Sequence, residues 1–88
     1  MRHQTAFVLL PRGTPTKSVV KILHDQDINS VVYRSYDIGK AKQLIKECDF
    51  VTFWQCSIDD YVRTLLEWAR SEGIHTLSVE WFRKNLSK

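Results

Sequence analysis

The chain has 88 residues and a mass of 10.4 kDa, with 43% hydrophobic, 26% charged and 11% aromatic residues, and thirteen basic against ten acidic side chains leave a net charge of +3. A chain of this size buries only about 60–65% of the surface its unfolded form exposes, which is enough for one core, so residues 1–88 are expected to form a single domain. No apolar run approaches the roughly 20 residues of a membrane span, Met1-Arg2-His3-Gln4 lacks the apolar stretch of a secretory signal, and few glycines and prolines are present; the expectation is a soluble cytoplasmic protein rather than a membrane or low-complexity chain.

Thr5-Ala6-Phe7-Val8-Leu9-Leu10 is almost continuously apolar and stops at Pro11-Arg12-Gly13-Thr14-Pro15, the pattern of a strand covered on both faces and then a loop. Thr14 is expected to cap a helix with Pro15 at its first position, and Val19, Val20, Ile22 and Leu23 supply its apolar face up to about Asp27. β-branched and aromatic residues predict a second strand over Ile28–Tyr33. Asp37 then caps a helix over Ile38–Glu47, with Ile38, Ala41, Leu44 and Ile45 inward and Lys40, Lys42, Gln43 and Lys46 outward. Phe50-Val51-Thr52-Phe53-Trp54 reads as a third buried strand. Ser57-Ile58-Asp59-Asp60 resembles a capping signal ahead of the stripe Val62, Leu65, Leu66 and Ala69, and Gly73 supplies the left-handed turn past the helix end. Ile74–Leu77 is a short fourth strand, after which Ser78 caps a last helix with Glu80 in its first turn and Lys84 and Lys88 near its end.

The order βαβαβαβα requires parallel strands joined by right-handed crossovers. The expected architecture is a small three-layer Rossmann-like (flavodoxin-like) α/β domain with a four-stranded parallel sheet in the order 2-1-3-4. In such sheets ligands bind beyond the carboxyl ends of the strands, near the point where strand order reverses. The loops Pro11–Thr16, Arg34–Asp37 and Gln55–Asp59 and the turn at Ser78 lie there. With the first strand central, Arg12, Lys17 and Arg34 converge on one mouth with the hydroxyls of Thr14, Thr16 and Ser35, and helix amino termini favour a phosphate or carboxylate. The candidate ligand-binding residues are Arg12, Thr14, Lys17, Arg34 and Ser57. The segment Arg12–Ser18 has one glycine, matching neither G-x-G-x-x-G nor a P-loop, and Pro15 removes an N–H, which disfavours dinucleotide binding and nucleotide hydrolysis.

Catalytic signals are sparse. Ser57 sits in no G-x-S-x-G elbow, and Asp59 and Asp60 beside Cys56 oppose thiolate formation. Cys48 and Cys56 lie about eight strand steps apart, beyond disulfide reach, and are expected to be free thiols. Glu67, next to an apolar stripe, is the one weak catalytic candidate. His3, His24 and His75 form no ligand spacing with the cysteines, so neither a metal nor a cofactor is expected. Residues 1–35 carry five basic and two acidic side chains and residues 48–72 two basic and five acidic ones, an asymmetry that fits self-association or a charged protein partner. No basic residues cluster with exposed aromatics, so sequence-specific reading of nucleic acid is not expected. Trp54 ends a core strand; Trp68, on the polar side of its stripe, and Trp81, beside Phe82 and Leu86, are the candidate partner-binding residues.

Two resemblances follow from these segments. The stretch Ala41–Gly73, with Cys48-Asp49-Phe50-Val51-Thr52-Phe53-Trp54 and then Leu66-Glu67-Trp68-Ala69-Arg70-Ser71-Glu72-Gly73 running on into Ile74, resembles the Rossmann-like SLOG superfamily and its nucleoside deoxyribosyltransferase relatives. That resemblance implies a nucleotide or nucleotide-derived ligand at the strand ends, with Glu67 at the family's acidic position. Ile74-His75-Thr76-Leu77-Ser78-Val79-Glu80-Trp81-Phe82 is similar to the last strand and tryptophan-bearing helix of BRCT domains, which share the parallel four-stranded order and approximate length. BRCT modules bind phosphopeptides, DNA ends or one another, so this resemblance implies a partner surface without catalysis. The leading expectation is a non-catalytic domain binding a nucleotide-like or other anionic ligand. Its first alternative is a protein-interaction module, BRCT-like, free-standing inhibitor-type or homo-oligomeric. A nucleoside- or nucleotide-processing enzyme using Glu67 or Asp59 comes third.

Overall fold

Strands whose successive side chains are all apolar have no face to give to water, and the chain surrounds them accordingly. The computed structural model, which describes the backbone of residues 4–86 and the side chains of residues 4–82, contains β1 (Thr5–Leu9), α1 (Lys17–Asp25), β2 (Asn29–Val32), α2 (Ile38–Lys46), β3 (Phe50–Phe53), α3 (Asp60–Ser71), β4 (Thr76–Ser78) and α4 (Val79–Leu86). His3 and Lys88, and the side chains of Lys84 and Leu86, lie outside the described residues. The strands form one all-parallel sheet in the order β2-β1-β3-β4, as expected. Phe7 of β1 stands opposite Val31 of β2 and Val51 of β3, and Thr52 opposite Leu77 of β4.

Alternation along the two inner strands divides the core. Phe7, Leu9, Val51 and Phe53 face Ala41 and Ile45 of α2 and Val62, Leu65, Leu66 and Ala69 of α3. Ala6, Val8, Leu10 and Phe50 face Val19 and Leu23 of α1 and Val79 and Phe82 of α4. The result is three layers, with helices on both sides of the sheet. Among the described residues no helix is long and apolar enough to cross a membrane.

Helix ends show where local sequence decided the geometry. Asp37 caps α2, accepting from Lys40 N at 3.0 Å. Gly73 (φ +74) closes α3: its N–H donates to Arg70 O at 3.1 Å, and Ile74 N donates to Ala69 O at 2.9 Å. The same pattern ends α1 with Asp27 (φ +59) in place of glycine, Asp27 N donating to His24 O and Ile28 N to Leu23 O.

Two helix starts differ from expectation. α1 begins two residues later, with Thr16 rather than Thr14 as N-cap, because Thr14 N donates to Pro11 O at 3.1 Å and closes a turn with Gly13 (φ +85) at its third position. α3 is capped by Asp59, which accepts from Val62 N at 2.9 Å, whereas Ser57 belongs to the preceding turn through Ser57 N to Trp54 O at 3.2 Å. β4 likewise starts at Thr76 rather than Ile74, whose N–H is held by the end of α3.

Thr52 is the one buried polar side chain among the core residues, and its Oγ1 has no hydrogen-bond partner. A buried unpaired hydroxyl costs roughly 1–3 kcal/mol, which valine of the same shape would avoid. Thr52→Val is therefore expected to raise stability by about 1 kcal/mol, read as a higher urea midpoint at unchanged slope. A lower midpoint would show that the hydroxyl is satisfied in solution.

Candidate functional site

The turn that delays α1 places Arg12 at its second position, clear of the sheet, and the order β2-β1-β3 sets the loop after β2 beside it. The two loops are bridged twice. The Arg12 guanidinium lies 4.8 Å from the centroid of the Tyr36 ring. Arg34 Nη2 donates to Thr16 Oγ1 at 2.8 Å. Tyr36 in turn meets Tyr61 of α3 edge-on, with ring centroids 5.1 Å apart and planes at 77°. Arg12 and Arg34 are exposed, and neither is paired with a carboxylate among the described residues.

Helix starts around this rim differ in charge. α2 has Asp37; α3 has Asp59 as cap and Asp60 in its first turn. α4 has Glu80 in its first turn, and Ser78 Oγ accepts from Trp81 N at 3.2 Å. α1 has no acidic residue in its first turn, and Thr16 makes no side-chain capping bond. Its start instead carries Lys17 and the Arg34 guanidinium. Cations at the positive end of a helix are unfavourable by about 0.3–1 kcal/mol each, and an anion there reverses the sign.

The loop after β3 is already occupied by an intrinsic anion. Glu80 accepts from Gln55 N through Oε1 at 3.1 Å and from Cys56 N through Oε2 at 3.4 Å. Partial burial pushes the Glu80 carboxyl up, but hydrogen bonds from the N–H groups of Gln55, Glu80 itself and Cys56, and from the Cys56 thiol, outweigh it and lower the pKa below 4.5. Tyr61, half-buried and with no partner for its hydroxyl, is pushed up to about 12 by burial and by neighbouring Tyr33, Tyr36, Asp59 and Asp37.

The structure thus brings Arg12, Arg34 and Lys17 to one part of the rim, with Thr14 half-buried in the turn beside them. Ser57 lies in the β3–α3 loop, on the part of the rim that Glu80 engages. Glu67 is exposed on α3, and Trp54 packs against the α1–α4 side of the core. Trp68 is half-buried rather than exposed: it packs on the α2–α3 core, with Lys42 Nζ and Lys46 Nζ 5.3 and 5.9 Å from its ring centroid. This basic-aromatic cluster spans two helices, so spacing within either one does not reveal it. Trp81 is 49% exposed. Cys48 and Cys56 form no disulfide, and the Cys48 thiol is raised to about 11 by burial and then by Asp49 and Glu47. At the opposite, amino ends of the strands a cavity of about 500 Å³ is lined by Gln4, Ile28, Phe50, His75, Leu77 and Trp81 among others. Among the described residues no three metal-ligating side chains converge.

No family model matches the chain, and no curated protein or solved structure gives a significant match.

Glu80 gives a pH signature. Because the folded state lowers its pKa, its contribution to stability is complete above the ordinary value of 4.5 and is lost as pH falls through the lower folded value. Glu80→Gln is expected to lose about 0.5–1 kcal/mol at pH 7, discounted for exposure, and the gap to the parent protein should close as denaturation is repeated below about pH 4. A gap independent of pH would assign the loss to packing.

Proposed function

We propose that the protein is a non-catalytic domain that binds a phosphate-bearing anion, such as a nucleotide, at the carboxyl ends of β1 and β2. One observation carries this reading: the start of α1, which lacks both a carboxylate and a capping side chain, carries Lys17 and receives the Arg34 guanidinium at Thr16, with Arg12 on the ring of Tyr36 two residues beyond Arg34. Backbone N–H groups at a helix start and guanidinium forks are the donors that phosphate oxygens accept from most strongly. Thr14 stands beside them with a hydroxyl, and Ser57 extends the rim toward β3. The Glu80 carboxylate on the β3–α3 loop confines the anion to the α1 side. The resemblance to nucleotide-binding Rossmann-like proteins points the same way.

The test is a thermal-shift titration with inorganic phosphate, adenosine monophosphate and adenosine diphosphate. A ligand at 100 times its dissociation constant adds about 2.7 kcal/mol to stability. Arg12→Ala and Arg34→Ala are each expected to weaken binding about tenfold or more, with affinity falling as salt rises. Melting that none of the three anions moves would end this reading.

A second reading, a protein-interaction module, is favoured by Trp81: an indole 49% exposed on α4, set edge-on to Phe82 with ring centroids 5.1 Å apart. Exposed tryptophans are enriched at the centres of interfaces. In its self-associating form, sedimentation velocity shows a concentration-dependent dimer that Trp81→Ala dissolves without lowering the melting temperature. A monomer at every concentration rejects that form.

A further inference from the structure

Resting on the anion site proposed above, we infer that Tyr36 is its positioning residue, holding the Arg12 guanidinium by its face so that the in-plane N–H donors are presented to a phosphoryl group. The guanidinium is planar and carries all five donors in that plane. A ring stacked against it engages the face and leaves the donor edge available, unlike a carboxylate partner, which would consume that edge. Arg12 lies 4.8 Å from the Tyr36 centroid, and no carboxylate is paired with it among the described residues.

Tyr36 is itself fixed from two sides. Its backbone has φ +60, a left-handed conformation that tyrosine rarely adopts, and its ring is T-shaped to that of Tyr61, with centroids 5.1 Å apart. The left-handed residue carries the chain from β2 to the Asp37 cap, and its ring lies against the guanidinium of Arg12 from the Pro11–Thr14 turn. Arg34, two residues earlier, spends one donor on Thr16 Oγ1 and retains the others. Both arginines thus enter the site with an anchored side chain and a donor edge to spare, and less side-chain entropy is lost on binding. The ligand class that follows is an oxyanion recognised by a fork of donors, a phosphate monoester or inorganic phosphate, rather than a diffuse polyanion attracted by net charge.

The experiment is calorimetric titration of the full chain with inorganic phosphate, with melting temperature recorded for every variant. Tyr36→Phe keeps the stacked ring and is expected to bind as the parent does. Tyr36→Gly, which accepts positive φ, and Tyr36→Leu, which keeps the backbone cost but has no π face, are each expected to bind about five- to tenfold more weakly. Arg12→Lys, a point charge without a fork, is expected to fall into the weak class. Weakening in Tyr36→Leu with rescue in Tyr36→Phe at equal melting temperatures separates positioning from folding. Parent-like affinity in both Tyr36→Gly and Tyr36→Leu overturns the inference while the anion site stands. Absence of phosphate binding by the parent protein removes the site itself.

Discussion

β1 is hydrogen-bonded along both edges and buried on both faces, and the rest of the molecule is placed by that condition. The crossovers that lead to its neighbours β2 and β3 run in opposite directions across the sheet, so α1 covers one face while α2 and α3 cover the other. At the amino end a reciprocal pair holds the register: Thr5 N donates to Asp49 Oδ2 at 2.7 Å, and Asp49 N donates to Thr5 O at 2.8 Å. At the carboxyl end the chain must leave the sheet at once, and Pro11, Arg12 and Gly13 make that exit. The loops after β1, β2 and β3 therefore share one rim because of the pairing, before any side chain is considered.

Electrostatics then divides the rim. Asp37, Asp59 and Glu80 each accept from backbone N–H groups, and a carboxylate so engaged is tied to the fold. The cations have no comparable use. Arg12 rests on an aromatic ring and Arg34 on a hydroxyl, both neutral partners, and among the described residues neither is paired with a carboxylate. A carboxylate caps a helix through one oxygen at little cost in water, whereas a guanidinium beside a helix start gains nothing from the dipole. The acidic residues explain themselves as parts of the fold; the basic group around α1 does not.

The fold was legible because its signals are local and periodic. The run from Ala6 to Leu10 declares a strand with two covered faces, Asp37 and Gly73 mark helix limits by side chain and by backbone freedom, and alternation of element type leaves little freedom of topology. The site was legible only in part. Arg12, Lys17 and Arg34 could be assigned to one rim from strand order alone. Which loops are joined, and by which contacts, depends on turn geometry that Thr14 and Thr16, or Ser57 and Asp59, satisfy nearly equally well. Trp68 looked exposed because spacing along α3 places it off the stripe; the neighbouring α2 extends the apolar surface to meet it. The Glu80 contact joins residues 25 positions apart and has no sequence signature.

Tyr36 was the least legible residue and is the most informative. Two described residues other than glycine have positive φ, Asp27 and Tyr36. Asp27 has a local reason, since it closes the end of α1 with two backbone hydrogen bonds, and aspartate tolerates the conformation. Tyr36 precedes a helix start, where no left-handed residue is needed to satisfy backbone groups. A cost of about 1–3 kcal/mol persists at such a position only when surrounding contacts over-determine it. The contacts it makes are a T-shaped pairing with the Tyr61 ring and the Arg12 guanidinium over its own ring. The strained residue is thus the one that meets Arg12, a cation with no carboxylate paired to it among the described residues.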